Sequence, residues 1–306
     1  MTFNILCLDG GGVRSVIQVI LLSRIIERFP GFLDSTNMIC GTSAGGLLAL
    51  SIAKCGTLEV AMKLMNKENL CSIFKSGGIV QEIQSFWGVV GPRYDNSYLK
   101  QLLEKEFQGQ KLSELSKQVM VTSFKLSDNK ENSGKDSNQI GPCLFSNLSF
   151  STNKEERVVK AALATTAAPS YFPVYEGYID GGVFANNPSL VGVVIAKKMG
   201  ISIEDIRVFS LGTGEFPARE ESGNWGVLQW SYFFLNVVLA ATMSAIDDQC
   251  KELLGNQYLR VNLPMERNIH LNDCGAIDFL MEKARLLPIE SFLPWIETHW
   301  THTSTR

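Results

Sequence analysis

The chain has 306 residues, 45% of them hydrophobic, so it can bury a substantial core in one large domain or two smaller ones. Twenty-eight basic residues stand against thirty-one acidic ones without long blocks of one sign, and this balance excludes the electrostatic footprint of a nucleic-acid-binding protein. The seven scattered cysteines form neither a metal-ligand pattern nor a compact disulfide framework, which favours a reducing compartment.

The beginning of the chain predicts a strand, a glycine loop and a helix. Phe3 to Leu8 is an apolar run typical of a buried strand, and no secretory leader pattern precedes it. Gly10, Gly11 and Gly12 come next, and a stripe of apolar residues at helical spacing then continues to Pro30. Glycines let the backbone approach a ligand closely, and the N–H groups at the start of a helix favour negative charge. This loop is therefore a candidate for binding an oxyanion.

The same unit occurs a second time. Met38 to Cys40 predicts a short strand, and a nearly all-apolar helix follows Ser43. A serine on a sharp turn from strand to helix needs small neighbours, because larger side chains would collide with the turn or block an acyl group. Gly41 and Gly45 meet that need, so Ser43 is a candidate nucleophile. The alternation of strands and helices predicts a three-layer α/β/α fold with a mainly parallel central sheet.

The middle of the chain is less regular. Glu59 to Leu115 predicts helices with breaks, which could form a lid over an access route or a surface insertion that covers the sheet. Val119 to Leu126 and Cys143 to Phe150 predict two strands, and the polar segment Ser127 to Pro142 between them is expected to be a mobile loop. Val158 to Ala168 then predicts a helix.

Three further strands are predicted in the second half of the chain. Val174 to Ile179 leads into Asp180-Gly181-Gly182, and Ile206 to Leu211 and Tyr258 to Leu263 follow. The uncharged segment Ser222 to Ile246 is long enough to span a membrane, but polar residues interrupt it and basic anchors are missing at its ends. We expect it to form a mostly buried helix. With no internal repeat or linker, residues 1–306 are predicted to form one domain.

The serine needs a base, and two candidates are available. Histidine is the usual choice, but His299 and His302 lie in the last eight residues, so a triad would have to use His270 in an ordinary polar segment. Asp180 stands at the end of an apolar strand, and the glycines after it leave its carboxylate accessible. A carboxylate with an ordinary pKa of about 3.9 is a weak base. A Ser43–Asp180 dyad would therefore depend on close placement of the two side chains and on stabilisation of the oxyanion. The alternative is that Asp180 is only the first residue of an Asp-Gly turn and has no catalytic role.

Taken together, these motifs resemble the patatin-like phospholipase family, whose pattern joins a D-G-G-G-x-R loop, a G-x-S-x-G elbow and a later D-G-G. Asp9 to Arg14, Gly41 to Gly45 and Asp180 to Gly182 match them in the same order, and the resemblance covers residues 5–188. Asn186-Asn187-Pro188 also resembles the family. After residue 188, only a turn at residues 212–214 resembles the family. Residues 265–306 are expected to form a C-terminal helical extension.

The resemblance implies a lipid acyl hydrolase that needs no metal or cofactor. Ser43 would attack the ester carbonyl with help from Asp180, while the amides of the loop from Gly10 to Gly12 hold the oxyanion. Arg14 would orient that loop or meet a lipid phosphate. The implied partner is a phospholipid or another glycerolipid, reached by a cytoplasmic protein through transient, peripheral contact with a membrane surface.

Three other interpretations remain open. The spacing of Gly10, Gly12 and Ser15 approaches a dinucleotide fingerprint, but Ser15 replaces the third glycine and the serine elbow would be unexplained. A transacylase could use the same site, because an alcohol or a lysolipid can capture an acyl-enzyme as well as water can. A protein of the same fold could also serve mainly in binding or storage.

Overall fold

The computed structural model describes residues 2–75, 91–126, 140–215 and 226–300. Within these ranges one sheet contains seven strands: β1 Phe3–Leu8, β2 Met38–Thr42, β3 Gln118–Lys125, β4 Gly141–Ser146, β5 Tyr178–Asp180, β6 Ile206–Leu211 and β7 Tyr258–Val261. Their order is β4-β3-β2-β1-β6-β7, with β5 also paired to β3. β4 and β5 run antiparallel to β3, and the other pairings are parallel.

Helices connect and cover these strands. In the described part of the chain they are α1 Val16–Arg28, α2 Ser43–Cys55, α3 Glu59–Leu64, α4 Lys67–Ile73, α5 Ser97–Phe107, α6 Val158–Thr165, α7 Gly182–Ala185, α8 Ser189–Lys198, α9 Val227–Leu254, α10 Ile277–Leu286 and α11 Leu293–His299. The predicted helix–break–helix region in the middle of the chain corresponds to α3, α4 and α5, and residues 76–90 within it lie outside the described residues.

Two hydrophobic cores lie on opposite faces of the sheet. Leu6 and Leu8 belong to the larger core, which contains residues of α1, α2, α6, α10 and α11. Ile5 and Cys7 belong to the smaller core, which contains residues of α8 and α9. Successive side chains of a strand point to opposite faces, so β1 contributes to both cores. This arrangement confirms the predicted three-layer fold with a mainly parallel sheet.

Several predicted strand boundaries change. β5 has only three residues, Tyr178–Asp180, because Glu176 and Gly177 adopt φ values of +49° and +84° and turn the chain sharply before it. β4 begins at Gly141 and ends at Ser146, so the predicted strand to Phe150 was too long. The predicted loop therefore loses its last residues to β4, and residues 127–139 lie outside the described part of the chain.

The long helix α9 differs from its prediction. Phe234 is 61% exposed and Val237 is 46% exposed, whereas Ile246, Cys250 and Leu254 are buried at a spacing of one helical turn. The expectation of a mostly buried helix is therefore wrong for the described side chains. No helix in the described ranges is long and apolar enough to cross a membrane.

The C-terminal helices pack beside α1. The guanidinium of Arg24 donates hydrogen bonds to the carbonyl oxygens of Ala284 and Leu287 at 2.8 and 2.7 Å. Trp300 is buried against Phe32, with ring centroids 5.2 Å apart and nearly parallel. The segment after α9 thus contributes side chains to the larger core rather than standing apart from it.

Candidate active site

The pairing of β2 and β5 with β3 brings Ser43 and Asp180 together. Thr42, the last residue of β2, pairs with Thr122, and Asp180, the last residue of β5, pairs with Ser123. Since β4 pairs along the opposite edge of β3, both ends lie on the same side of β3. The two strands approach from opposite directions and end next to each other, so residues far apart in the chain become neighbours.

Ser43 lies on a strained turn. Its φ of +55° is in the left-handed region, which residues other than glycine rarely adopt. A Cβ atom on Gly41 would overlap the carbonyl oxygen of Gly45, and one on Gly45 would overlap that of Leu8. The backbone of Ser43 is held by a hydrogen bond from its N–H to Thr165 Oγ1 at 2.9 Å. The predicted need for small residues around the serine is confirmed.

Asp180 is buried and accepts a hydrogen bond from the Gly182 amide at 2.7 Å. Burial raises the pKa of Asp180 from 3.8 to about 6, while the nearby Ser43 side chain and the Gly182 amide act in the opposite direction. The carboxylate is therefore a stronger base than its ordinary pKa suggests, which the sequence did not reveal.

The three glycines of the loop are not equivalent. The Gly10 amide donates to the carbonyl oxygen of Asn186 at 3.1 Å, so it is already engaged and the expectation of an oxyanion donor there is corrected. The amides of Gly11 and Gly12 have no acceptor among the residues that the structure describes. A glycine is nevertheless required at position 10 for steric reasons, because a Cβ atom there would overlap the Asn186 side chain and lie 3.1 Å from the Ser43 Cβ.

Arg14 is buried beneath the glycine loop. Its Nε donates to the carbonyl oxygen of Gly11 at 3.2 Å, and a terminal guanidinium nitrogen lies 3.4 Å from the carbonyl oxygen of Ile269. Burial lowers the pKa of Arg14 to about 10, so the side chain stays cationic at neutral pH. Of its two expected roles, orientation of the loop fits this position, since a lipid phosphate would need an exposed guanidinium.

A buried ion pair anchors the residue before the loop. Asp9 accepts two hydrogen bonds from the Arg260 guanidinium of β7, at 3.2 and 2.6 Å, and the same guanidinium donates to Ser210 Oγ at 2.8 Å. Sequence reasoning missed Arg260, because nothing near it in the chain marks it and Asp9 was seen only as part of a motif.

Two cavities meet at Ser43, Gly12 and Leu271. The larger has a volume of about 470 Å³, part of it open to solvent, and is lined mainly by apolar side chains, among them Leu47, Leu70, Ile73, Phe74, Leu99 and Phe172. The smaller has a volume of about 340 Å³, also partly open to solvent, and is lined by Asp180, the three loop glycines and Leu239 of α9. Ser43 therefore stands between an apolar space and a more polar one.

Histidine is not part of this arrangement within the described residues. His270 is exposed and lines neither cavity, and His299 stacks on Trp295 with ring centroids 4.9 Å apart. His302 lies outside the described residues. No cluster of three or more histidine, cysteine, aspartate or glutamate residues in the described ranges has an arrangement suited to a metal ion.

Comparisons with known proteins identify relatives over most of the chain. A family model described as patatin-like phospholipase matches residues 6–191. A cGAMP-activated phospholipase of Pseudomonas aeruginosa is 29% identical, over 85% of this chain and 78% of its own length. A putative sporulation hydrolase, CotR, of Bacillus subtilis is also 29% identical, over 97% of this chain and 98% of its own. Among solved structures, VipD of Legionella pneumophila matches with a TM-score of 0.45 and 11% identity, over 92% of this chain and 67% of its own.

Proposed function

The chain belongs to the patatin-like phospholipase family, and on that premise we propose that it is a lipid acyl hydrolase of the phospholipase A type. Ser43 is the nucleophile, Asp180 is its base, and the substrate is a fatty-acyl ester of a phospholipid or another glycerolipid. The observation that carries the proposal is that Ser43 and Asp180 line the same cavity, beside loop amides without an acceptor among the described residues.

The first half of the reaction transfers the acyl group to the protein. Ser43 Oγ attacks the ester carbonyl carbon while its proton passes to Asp180. The carbonyl oxygen becomes an oxyanion, and the amides of Gly11 and Gly12 stabilise it. When the tetrahedral intermediate collapses, the bond to the alcohol oxygen breaks and Asp180 returns the proton to that oxygen. A lysolipid leaves, and the acyl group stays esterified to Ser43.

The second half releases the fatty acid. Water attacks the acyl-serine while Asp180 takes its proton, and the same amides hold the second oxyanion. Collapse breaks the bond to Ser43 Oγ, which recovers the proton from Asp180. A pKa of about 6 suits both steps, because the group is mostly ionised at neutral pH and still accepts a proton more readily than an ordinary aspartate.

The larger cavity is the proposed site of the acyl chain. It opens beside Ser43 and its walls come from α2, α4, α5 and the segment around Phe172. Burying a hydrocarbon chain there is favourable at roughly 25 cal/mol for each Å² of apolar surface removed from water. Substituting Leu99 by Trp narrows this space, and we expect a preference for shorter acyl chains, measured with a series of esters.

The exposed apolar part of α9 is the proposed contact with the lipid surface. Phe234 and Val237 project into solvent, and Leu239 of the same helix lines the smaller cavity. No charged residue occurs in the helix before Asp247. Such a face favours the boundary between lipid headgroups and acyl chains. Leu239 lies on the opposite side of the helix from these two residues, so contact of α9 with a membrane would place the cavity that contains Ser43 close to the lipid surface.

Binding to vesicles tests this contact. A Phe234→Ser/Val237→Ser double variant is expected to lose vesicle binding and hydrolysis of vesicle lipids while it keeps activity on a soluble ester. Leu253→Ser is the matched control, because Leu253 is 50% exposed on the charged end of the same helix. Equal loss in both variants, or none in the double variant, would contradict a specific contact.

Release of fatty acid tests the proposed function itself. Ser43→Ala and Asp180→Asn are each expected to lower hydrolysis by about a thousandfold or more. Ser51→Ala is the control for the serine, because Ser51 lies in the same helix and bonds the carbonyl oxygen of Leu47 at 2.7 Å. A fluorophosphonate should label Ser43 and leave the alanine variant unmodified. Activity that survives Ser43→Ala would refute the proposal.

Assay conditions and product analysis separate the related activities. Because one relative is named a cGAMP-activated phospholipase, each assay is run with and without that cyclic dinucleotide. An added lysolipid acceptor distinguishes hydrolysis from transacylation, since free fatty acid accumulates in the first and acylated acceptor in the second. Lipid binding without either product, under both conditions, would indicate a binding or storage protein.

A further inference from the structure

The carbonyl oxygen of Gly10 accepts two hydrogen bonds from buried side chains. Thr213 Oγ1 donates at 3.0 Å and Asn186 Nδ2 donates at 3.2 Å. Thr213 lies in the turn after β6, and Asn186 follows the last residue of α7. Two segments that are far from the glycine loop in sequence therefore both bond the carbonyl oxygen of Gly10.

A carbonyl held in this way determines where the next amide points. In a trans peptide unit the C=O and N–H bonds lie in one plane and point in opposite directions. The Gly10 carbonyl belongs to the same peptide unit as the Gly11 amide, so the two side chains direct that amide away from themselves. The Gly12 amide is directed likewise, because the Gly11 carbonyl accepts from the backbone N–H and the Nε of Arg14, at 3.1 and 3.2 Å.

We propose that Thr213 and Asn186 are positioning residues that aim the Gly11 amide at the oxyanion, an inference that rests on the proposed function. A glycine peptide has little steric resistance to rotation. In a rotated peptide the Gly10 carbonyl oxygen would replace the amide at the site and repel the oxyanion. The two hydrogen bonds oppose that rotation, so the donor is in place before charge develops.

The same hydrogen bonds also strengthen the donor. Hydrogen bonds accepted by a carbonyl polarise its peptide unit and increase the strength of the bond donated by its N–H, by roughly 10–30% for each bond. Thr213 is well placed for this role because it is 2% exposed, and its own turn is held by a hydrogen bond from the Gly214 amide to Asn262 Oδ1 at 2.8 Å.

The test compares three threonine variants on a soluble short-chain ester. Thr213→Val keeps the shape of the side chain and removes its donor, and Thr213→Ser keeps the hydroxyl. Thr36→Val is the matched control, because Thr36 is also 2% exposed and its hydroxyl donates to the carbonyl oxygen of Phe32 at 2.9 Å, in the loop between α1 and β2. Removing an oxyanion donor outright costs roughly a hundredfold to a thousandfold in kcat.

We expect Thr213→Val to lower kcat by about tenfold to a hundredfold with KM within about twofold, since the donor is misdirected and not removed. Thr213→Ser should stay close to the wild type, and Thr36→Val should keep its kcat even where its Tm falls. A trifluoromethyl ketone forms a tetrahedral oxyanion on serine, and its affinity should fall in parallel with kcat in Thr213→Val only. Thr213→Ala serves the same purpose where the valine variant does not fold.

The outcomes separate the two proposals. A kcat of Thr213→Val within twofold of the wild type, together with inactive Ser43→Ala, overturns the positioning role and leaves the proposed function intact. An equal loss of kcat in Thr36→Val also overturns it, because the effect would then follow stability. Activity that survives Ser43→Ala overturns the proposed function, and the positioning role with it.

Discussion

Replacing Asp180 by asparagine is expected to inactivate the protein and to stabilise it at pH 8. Burial raises the pKa of this carboxyl from 3.8 to about 6, so the folded state binds its proton more tightly than the unfolded state does. The free energy of unfolding therefore falls as pH rises between these two values. At 1.36 kcal/mol for each pH unit, the ionised carboxylate costs the folded state about 3 kcal/mol at pH 8.

Asparagine removes that cost and keeps part of the local hydrogen bonding. It carries no charge to bury, and its Oδ1 can accept the hydrogen bond that the Gly182 amide now donates to the carboxylate. We expect Asp180→Asn to be up to about 3 kcal/mol more stable than the wild type at pH 8. The difference should become small near pH 4, where the carboxyl is protonated in the folded state and only partly ionised in the unfolded state.

Urea unfolding at several pH values between 4 and 8 measures this difference. Asp278→Asn is the control, because Asp278 is an exposed carboxylate that bridges Lys67 on the surface. The gap between Asp180→Asn and the wild type should grow with pH, and by more than any gap that Asp278→Asn shows. A gap between Asp180→Asn and the wild type that is constant with pH, or an asparagine variant that is less stable at pH 8, would refute the reasoning.

The activity of the wild type should follow the same titration in the opposite direction. Because the ionised form of Asp180 is the base, kcat/KM should rise with pH through an apparent pKa of about 6. Stability and activity therefore change in opposite directions across one window. An acid limb near pH 4 would show that the active base is not this buried carboxyl.

Three remaining predictions concern stability. Ser43→Gly should stabilise the protein by roughly 1 kcal/mol, because it relieves the left-handed conformation, and a lower Tm would contradict the strain. Arg260→Leu should destabilise it by about 3–5 kcal/mol in urea unfolding, because Asp9 would be left as a buried charge without its partner. Trp300→Ala should lower the free energy of unfolding by about 3–5 kcal/mol, because it removes a large buried ring that stacks on Phe32. We propose that residues 265–306 belong to the single domain, so unfolding should remain one cooperative transition. A separate transition for that segment would argue against a single domain.

Local sequence patterns predicted the central buried strands of the sheet well. The bounds of β1 and β6 are those expected, because a strand buried on both faces is a continuous apolar run and is visible in the sequence. Errors had both local and tertiary causes. The strand before Asp180 was predicted too long because its apolar residues were weighed above Gly177, which forms a two-residue hairpin turn with Glu176 between Tyr175 and Tyr178. Helix α9 was expected to be buried because composition does not tell which face of a helix has a partner.

Local sequence was enough to predict the order of strands and helices along the chain, the position of Ser43 between glycines, and the three turns that bear the candidate chemistry. These are local properties, since periodicity and the steric need for glycine act within a few residues. Three other properties became visible only in the folded protein: which loop amides lack an acceptor among the described residues, which guanidinium pairs with Asp9, and how far burial raises the pKa of Asp180. Each of these depends on groups hundreds of residues apart meeting where water is excluded, and desolvation is a property of the folded surroundings, not of the chain order.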